Sequence, residues 1–132
     1  MKVGIATLAS LAATSGLGLV HAQYVATDHI RVFLFGQTSY FSEVAVDVHN
    51  DTCLSLDNNL IDGKVQSVLV GGHDIWDVYQ RYDKWYCVLY DNFDCTGSEE
   101  SMITVAGGTN NLATASWANR VHGLRCINDD PA

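Results

Sequence analysis

The stretch Cys87-Val-Leu-Tyr-Asp-Asn-Phe-Asp-Cys-Thr-Gly97 decides the fold. It opens as an apolar strand and ends in a polar Thr-Gly, with turn-forming Asp and Asn residues between. A cysteine stands near either end. Three chemistries use two nearby cysteines: a redox pair, a metal site and a disulfide-held hairpin. A thioredoxin-type or zinc-ribbon site needs Cys-x-x-Cys, which the chain lacks. A strand that turns back on itself is the reading that the flanking sequence supports.

Compartment decides how the four cysteines Cys53, Cys87, Cys95 and Cys126 are read. Residues 1–22 carry one early Lys2, an apolar run from Ile5 to Val20 and a Val20-His21-Ala22 end. This predicts a secretory signal, with the mature domain at 23–132, and an extracellular protein. The run is shorter than a membrane helix needs, and no second one follows. An even number of cysteines in an exported chain predicts two disulfides. Of the three pairings, Cys87–Cys95 with Cys53–Cys126 is favoured: the first would staple one hairpin and the second would tie the two halves. Cys87–Cys126 with Cys53–Cys95 remains open.

Charge excludes several partners. The chain carries seven Lys and Arg against fifteen Asp and Glu, a net −8; loss of Lys2 with the signal makes the mature value −9. Without a basic stripe, phosphate neutralisation is not available, so nucleic acid is not an expected partner. Insertion into anionic membranes by a cationic face is not expected either. Asn50-Asp51-Thr52 is an Asn-x-Thr acceptor, which makes Asn50 a candidate glycosylation site.

The rest of the chain reads all-β. Strands are expected at His29–Phe35, Val44–Val48, Lys64–Val70, Trp85–Tyr90, Ser101–Ala106 and Arg120–Ile127, punctuated by Gly and Asn turns. Between Asp74 and Trp85, apolar residues fall at helical spacings, though an irregular crossover fits almost as well. The chain also repeats. At an offset of 55, Phe35 falls on Tyr90, Val32 on Cys87, Tyr40 on Cys95 and Ser42 on Gly97. At an offset of 56, Val65 falls on Val121, Ser67 on Gly123 and Val70 on Cys126. Each unit is too short to bury a core alone, and two packed face to face could do so.

Tyr90-x-x-x-x-Cys95-x-Gly97, with a Ser or Gly in the last strand, resembles the βγ-crystallin Greek-key motif. The resemblance covers nearly all of the mature chain, as motif one at about 31–70 and motif two at about 86–126. Motif two is the better match; motif one has Ser42 where the motif has Gly. The fold that this implies is a disulfide-stapled β-sandwich of two Greek keys. Tyr90 would then pack across Gly97, and a Cys87–Cys95 bridge would replace the aromatic clamp that the family carries at the place of Cys95.

The resemblance also implies a place to look for calcium, the one cofactor it suggests. Family members bind the ion through a loop of the form Asn/Asp-Asn/Asp-x-x-Ser/Thr-Ser. Here the loops read Asp62-Gly63-Lys64-Val65-Gln66-Ser67 and Ala118-Asn119-Arg120-Val121-His122-Gly123. Asp62 and Ser67 are the candidate ligands. Gln66 and His122 stand where a hydroxyl is expected, so both loops are degraded for a cation that wants six to eight oxygens.

Catalysis is not expected. No Gly-x-Ser-x-Gly, His-Glu-x-x-His or phosphate loop occurs. His73-Asp74 are adjacent, and adjacent strand residues face opposite ways. Trp76, Tyr79, Tyr82, Trp85 and Tyr86 cluster within eleven residues. Core packing is the plain reading; a binding patch of Trp76, Tyr79 and Tyr82 for an extracellular protein or a cell-surface carbohydrate is the alternative. Small secreted members of the superfamily include killer-toxin-like and antimicrobial proteins. The expected function is accordingly a secreted, non-enzymatic, toxin-like or effector-like binding protein. A structural or cell-wall-associated module without toxicity is the competing expectation.

Overall fold

The computed structural model describes residues 24–130. The expected signal at 1–22 and the mature start at Gln23 lie outside the described residues. Within them the chain forms eight strands and one short α-helix. In order these are β1 (His29–Gln37), β2 (Phe41–His49), β3 (Cys53–Ser55), β4 (Ser67–Val70), α1 (Ile75–Tyr79), β5 (Trp85–Tyr90), β6 (Met102–Val105), β7 (Gly108–Thr109) and β8 (Gly123–Asn128). Two 3-10 turns, Glu99–Ser101 and Leu112–Ala115, interrupt the second half.

Two four-stranded antiparallel sheets result, in the orders β2-β1-β4-β7 and β3-β8-β5-β6. The long hairpin β1–β2 runs in register from His29 opposite His49 to Gln37 opposite Phe41. Side-chain alternation assigns the faces. Ile30, Val32 and Leu34 of β1 point between the sheets, where they meet Val68 and Val70 of β4, Cys87 and Leu89 of β5 and Leu124 of β8. Phe33 and Phe35 point the other way and form a second cluster with Leu69, covered by Tyr40 and Val78.

The repeat is realised strand by strand. In motif one Val32 opposes Val70 and Phe35 opposes Ser67. In motif two Cys87 opposes Cys126 and Tyr90 opposes Gly123. The aligned turn positions all have positive φ: 69° and 56° at Tyr40 and Cys95, 65° and 114° at Ser42 and Gly97. Ser42 therefore adopts a positive φ, as Gly97 does at no steric cost. Strands β3 and β7, at three and two residues, are the elements that sequence patterning missed. Each crosses to the sheet of the other motif: β3 pairs with β8, and β7 with β4.

The favoured disulfide pairing is corrected. The bonds are Cys53–Cys95 and Cys87–Cys126, not Cys87–Cys95 and Cys53–Cys126. The reason is the face on which each cysteine lies, set for Cys87 by its strand and for Cys95 by the turn that follows. Cys87 points into the core between the sheets, directly opposite Cys126 on the neighbouring strand. Cys95 lies on the outer face with Val88, Tyr90 and Met102, and Cys53 packs there too. A hairpin staple would have had to pass through the sheet.

Candidate functional site

The connector from β4 to β5 carries the feature that the core does not explain. It leaves the sheet through Gly71, at φ +79°, and Gly72. A Cβ on Gly72 would lie 2.7 Å from the backbone nitrogen of Val78, so helix and strand end can meet only at glycine. Asp74 caps α1, its carboxylate accepting from the Asp77 N–H at 2.9 Å. The helix buries none of its five residues. Val78 leans on the Phe33, Phe35 and Leu69 cluster. Trp76, Tyr79 and Tyr82 point outward and are 69%, 78% and 96% exposed. The plain reading of core packing thus fails for these three rings, because the face beneath them is already filled from β1 and β4.

Arg81 fastens the connector from below. Its guanidinium donates to the carbonyls of Val70, Ala106 and Trp85, each at 2.8 Å, and pairs with Asp83. Burial raises the pKa of the Asp83 carboxyl, but the Arg81 hydrogen bonds and the Trp85 N–H outweigh it and hold the group below its ordinary range. The aromatics therefore stand on a held loop.

Two shallow grooves flank the helix. One, of about 490 Å³, is lined by Phe35, Tyr40, Glu43, His73, Asp74 and Trp76, with Ile75. Within it His73 Nε2 lies 2.8 Å from Glu43 Oε1, and the His73 ring meets Phe33 edge-on. The other, of about 580 Å³, lies on the Tyr79, Trp85 and Tyr86 side and shares Tyr40. Burial, with Tyr79 close by, raises the Tyr40 phenol above its usual pKa.

The two calcium-like loops come out differently. Ser67 is fully buried; its hydroxyl donates to the Gln37 carbonyl at 2.7 Å and accepts from the Tyr40 N–H at 3.2 Å. That oxygen closes the first hairpin. Asp62 meets His122 of the other loop, Nδ1 to Oδ1 at 2.6 Å. Among the described residues no cluster of three or more His, Cys, Asp or Glu is arranged to hold a metal ion. With one carboxylate oxygen engaged by nitrogen and the candidate hydroxyl committed elsewhere, the donor set does not fit calcium. Sequence reading had picked out both loops. The direct bond between Asp62 and His122 is what the loop pattern does not announce.

Asn50 sits in the β2–β3 turn, its Oδ1 accepting from the Asn128 N–H at 2.9 Å. Thr52 Oγ1 donates to the Asn50 carbonyl at 3.2 Å. The acceptor motif is thus in a tied turn. Among the described residues no helix is long and apolar enough to cross a membrane.

No family model and no curated protein matches the chain. Solved structures do. One, described in work on the evolution of the eye-lens βγ-crystallin domain fold, superposes with a TM-score of 0.55 at 11% identity, covering 76% of this chain and 87% of its own. Another is a βγ-crystallin domain of the Abundant Perithecial Protein of Neurospora crassa, in its Ca²⁺-bound form. It superposes with a TM-score of 0.51 at 12% identity, covering 83% of this chain and all of its own. At such identities the likeness is one of fold. The chain has a βγ-crystallin-like fold: all-β, two antiparallel sheets, two disulfides.

Proposed function

We propose that this is a secreted, non-enzymatic binding protein that acts in a toxin-like, antimicrobial or effector-like way. It grips an extracellular protein target with Trp76, Tyr79 and Tyr82. The observation that carries the reading is the exposure of these three rings on a connector held rigid by Arg81. Large rings that need little ordering give contact area at low entropic cost, and Trp and Tyr dominate interface hot spots. Two disulfides with no free cysteine among the described residues support an oxidising compartment. The mature charge of −9 argues against membrane lysis and nucleic-acid binding, and for action through a specific target.

A second reading rests on the groove of Tyr40, Glu43, His73, Asp74 and Trp76. Ring faces beside carboxylates suit a cell-surface carbohydrate, as a cell-wall-associated module without toxicity would need. One experiment separates the two. Purified mature protein and a Trp76→Ala/Tyr79→Ala/Tyr82→Ala variant are incubated with fungal, bacterial and plant cells, and growth and surface binding are scored. The expected result is saturable binding to one cell class, reduced at least about tenfold in the variant, with an unchanged melting temperature. Protease treatment of the cells should abolish binding, whereas glycan-degrading enzymes should abolish it under the second reading. Equal binding by the variant would remove the aromatic surface from the proposal.

A further inference from the structure

Asp62 and His122 are sixty residues apart in the chain, belong to different motifs, and touch. An ionised carboxylate only accepts, so Nδ1 of His122 carries the hydrogen. The backbone around the pair is fixed from both sides. Gly63 N–H donates to the Val121 carbonyl, Leu56 N–H to the His122 carbonyl and His122 N–H to the Tyr90 carbonyl, at 3.2, 2.9 and 2.8 Å. The Phe93 ring packs against the imidazole at a tilt of 55°, centroids 5.1 Å apart. Gly63 also fits against it: a Cβ there would come within 3.5 Å of Cε1. The two side chains are 25% and 31% exposed, so water reaches them only in part.

The arrangement is one-sided. The repeat places Ala118 on Asp62 and Gln66 on His122, so the equivalent loop pair has neither carboxylate nor imidazole at these places. Each calcium-like loop thus contributes one side chain to a hydrogen bond between motifs, beside the backbone bonds that also join them.

We propose that the Asp62–His122 hydrogen bond stands in for a bridging cation: the imidazole occupies the carboxylate and keeps calcium out of this loop pair. Calcium takes six to eight oxygens at about 2.3–2.6 Å, and an imidazole nitrogen is a poor partner for it. His122 engages one oxygen of the Asp62 carboxylate and puts a nitrogen where the loop pattern has a hydroxyl. Replacing it with an oxygen-bearing side chain frees Asp62 and turns the pair into a calcium-responsive site. This inference is independent of the aromatic surface, since the two lie on different loops.

The test is thermal melting of the purified full domain in about 1 mM calcium and in EDTA. A site with Kd of about 10 μM would raise the folding equilibrium about 100-fold at that concentration, a shift of roughly 10 °C or more. The wild type is expected to shift by less than about 2 °C. His122→Thr is expected to shift by more than that, and adding Asp62→Asn should remove the gain. His122→Asn, which removes the imidazole and offers an amide oxygen on a shorter side chain, is a second variant should the first not fold. A wild-type shift of several degrees that is lost in Asp62→Ala would overturn the exclusion. Folded His122→Thr and His122→Asn proteins that both ignore calcium would show that His122 is not what keeps the ion out. In the wild type, the His122 ring signals in NMR should not move when calcium is added; a saturable change would count against the proposal.

Discussion

Ser67 and Gly123 hold equivalent places, the start of the fourth strand of each motif opposite the aromatic of the first. They secure the hairpin by different chemistry. Ser67 donates to Gln37 and accepts from Tyr40, satisfying two backbone groups of the first turn. In the second turn Asn92 does that work, its amide donating to the Thr96 carbonyl and its oxygen accepting from the Thr96 and Asp94 N–H groups. The Cys95 sulfur then lies where a side chain at 123 would go: a Cβ on Gly123 would sit 2.8 Å from the Asn92 carbonyl oxygen and 3.3 Å from Cys95 Sγ. Ser67→Ala leaves the Gln37 carbonyl and the Tyr40 N–H without their partner and is expected to cost about 1–3 kcal/mol. Gly123→Ser, which copies the other motif, should cost more, because it meets backbone rather than a movable side chain. Melting curves of the two variants decide this: Gly123→Ser melting like the wild type would mean that the second turn can relax.

At the scale of elements, the same symmetry explains the buried disulfide. Cys87–Cys126 occupies the cross-strand place that Val32 and Val70 fill in motif one. All four side chains lie in the central core. A Cys87→Val/Cys126→Val variant should therefore fold, losing about 4 kcal/mol for the 39-residue loop it no longer closes. An Ala pair leaves a cavity besides and should lose at least about 2 kcal/mol more. Urea midpoints of the two variants measure the difference, and equal midpoints would show that the pair contributes only the covalent link. The repeat had already set Val32 on Cys87 and Val70 on Cys126. What misleads a reading from sequence is nearness in the chain: only seven residues separate Cys87 and Cys95, which suggests a staple, but the turn that follows β5 at Tyr90 carries Cys95 to the face opposite Cys87. The long strands were legible because β-branched and aromatic runs mark half-buried surface. Strands β3 and β7 were not, since their pairing comes from partners in the other motif and little in their own composition announces it. The helical spacing of 74–85 was real over Ile75–Tyr79, but periodicity cannot say which face meets solvent when the core beneath is already full.

For the whole molecule, the exchange of β3 and β7 means that neither motif can complete its own sheet. The core lies between two sheets that each contain strands from both halves. Cys53 rides on the exchanged strand β3 and is bonded to Cys95 in the second hairpin, so the exchange is covalently held across 42 residues. The expected behaviour is one cooperative unfolding transition. Trp117 is buried in the shared core and reports on it by fluorescence. Trp76 is exposed and would blur that signal, so the measurement is best made in Trp76→Phe. Fluorescence and far-UV circular dichroism should then give coincident urea curves, as two-state unfolding requires. Removing the tie in Cys53→Ala/Cys95→Ala should lower stability by about 2–4 kcal/mol. It should leave the transition single, because the hydrogen bonds of β3 to β8 and of β7 to β4 still join the halves. A biphasic curve in that variant, with one probe lost before the other, would show that the disulfide and not the strand exchange makes the two motifs one unit.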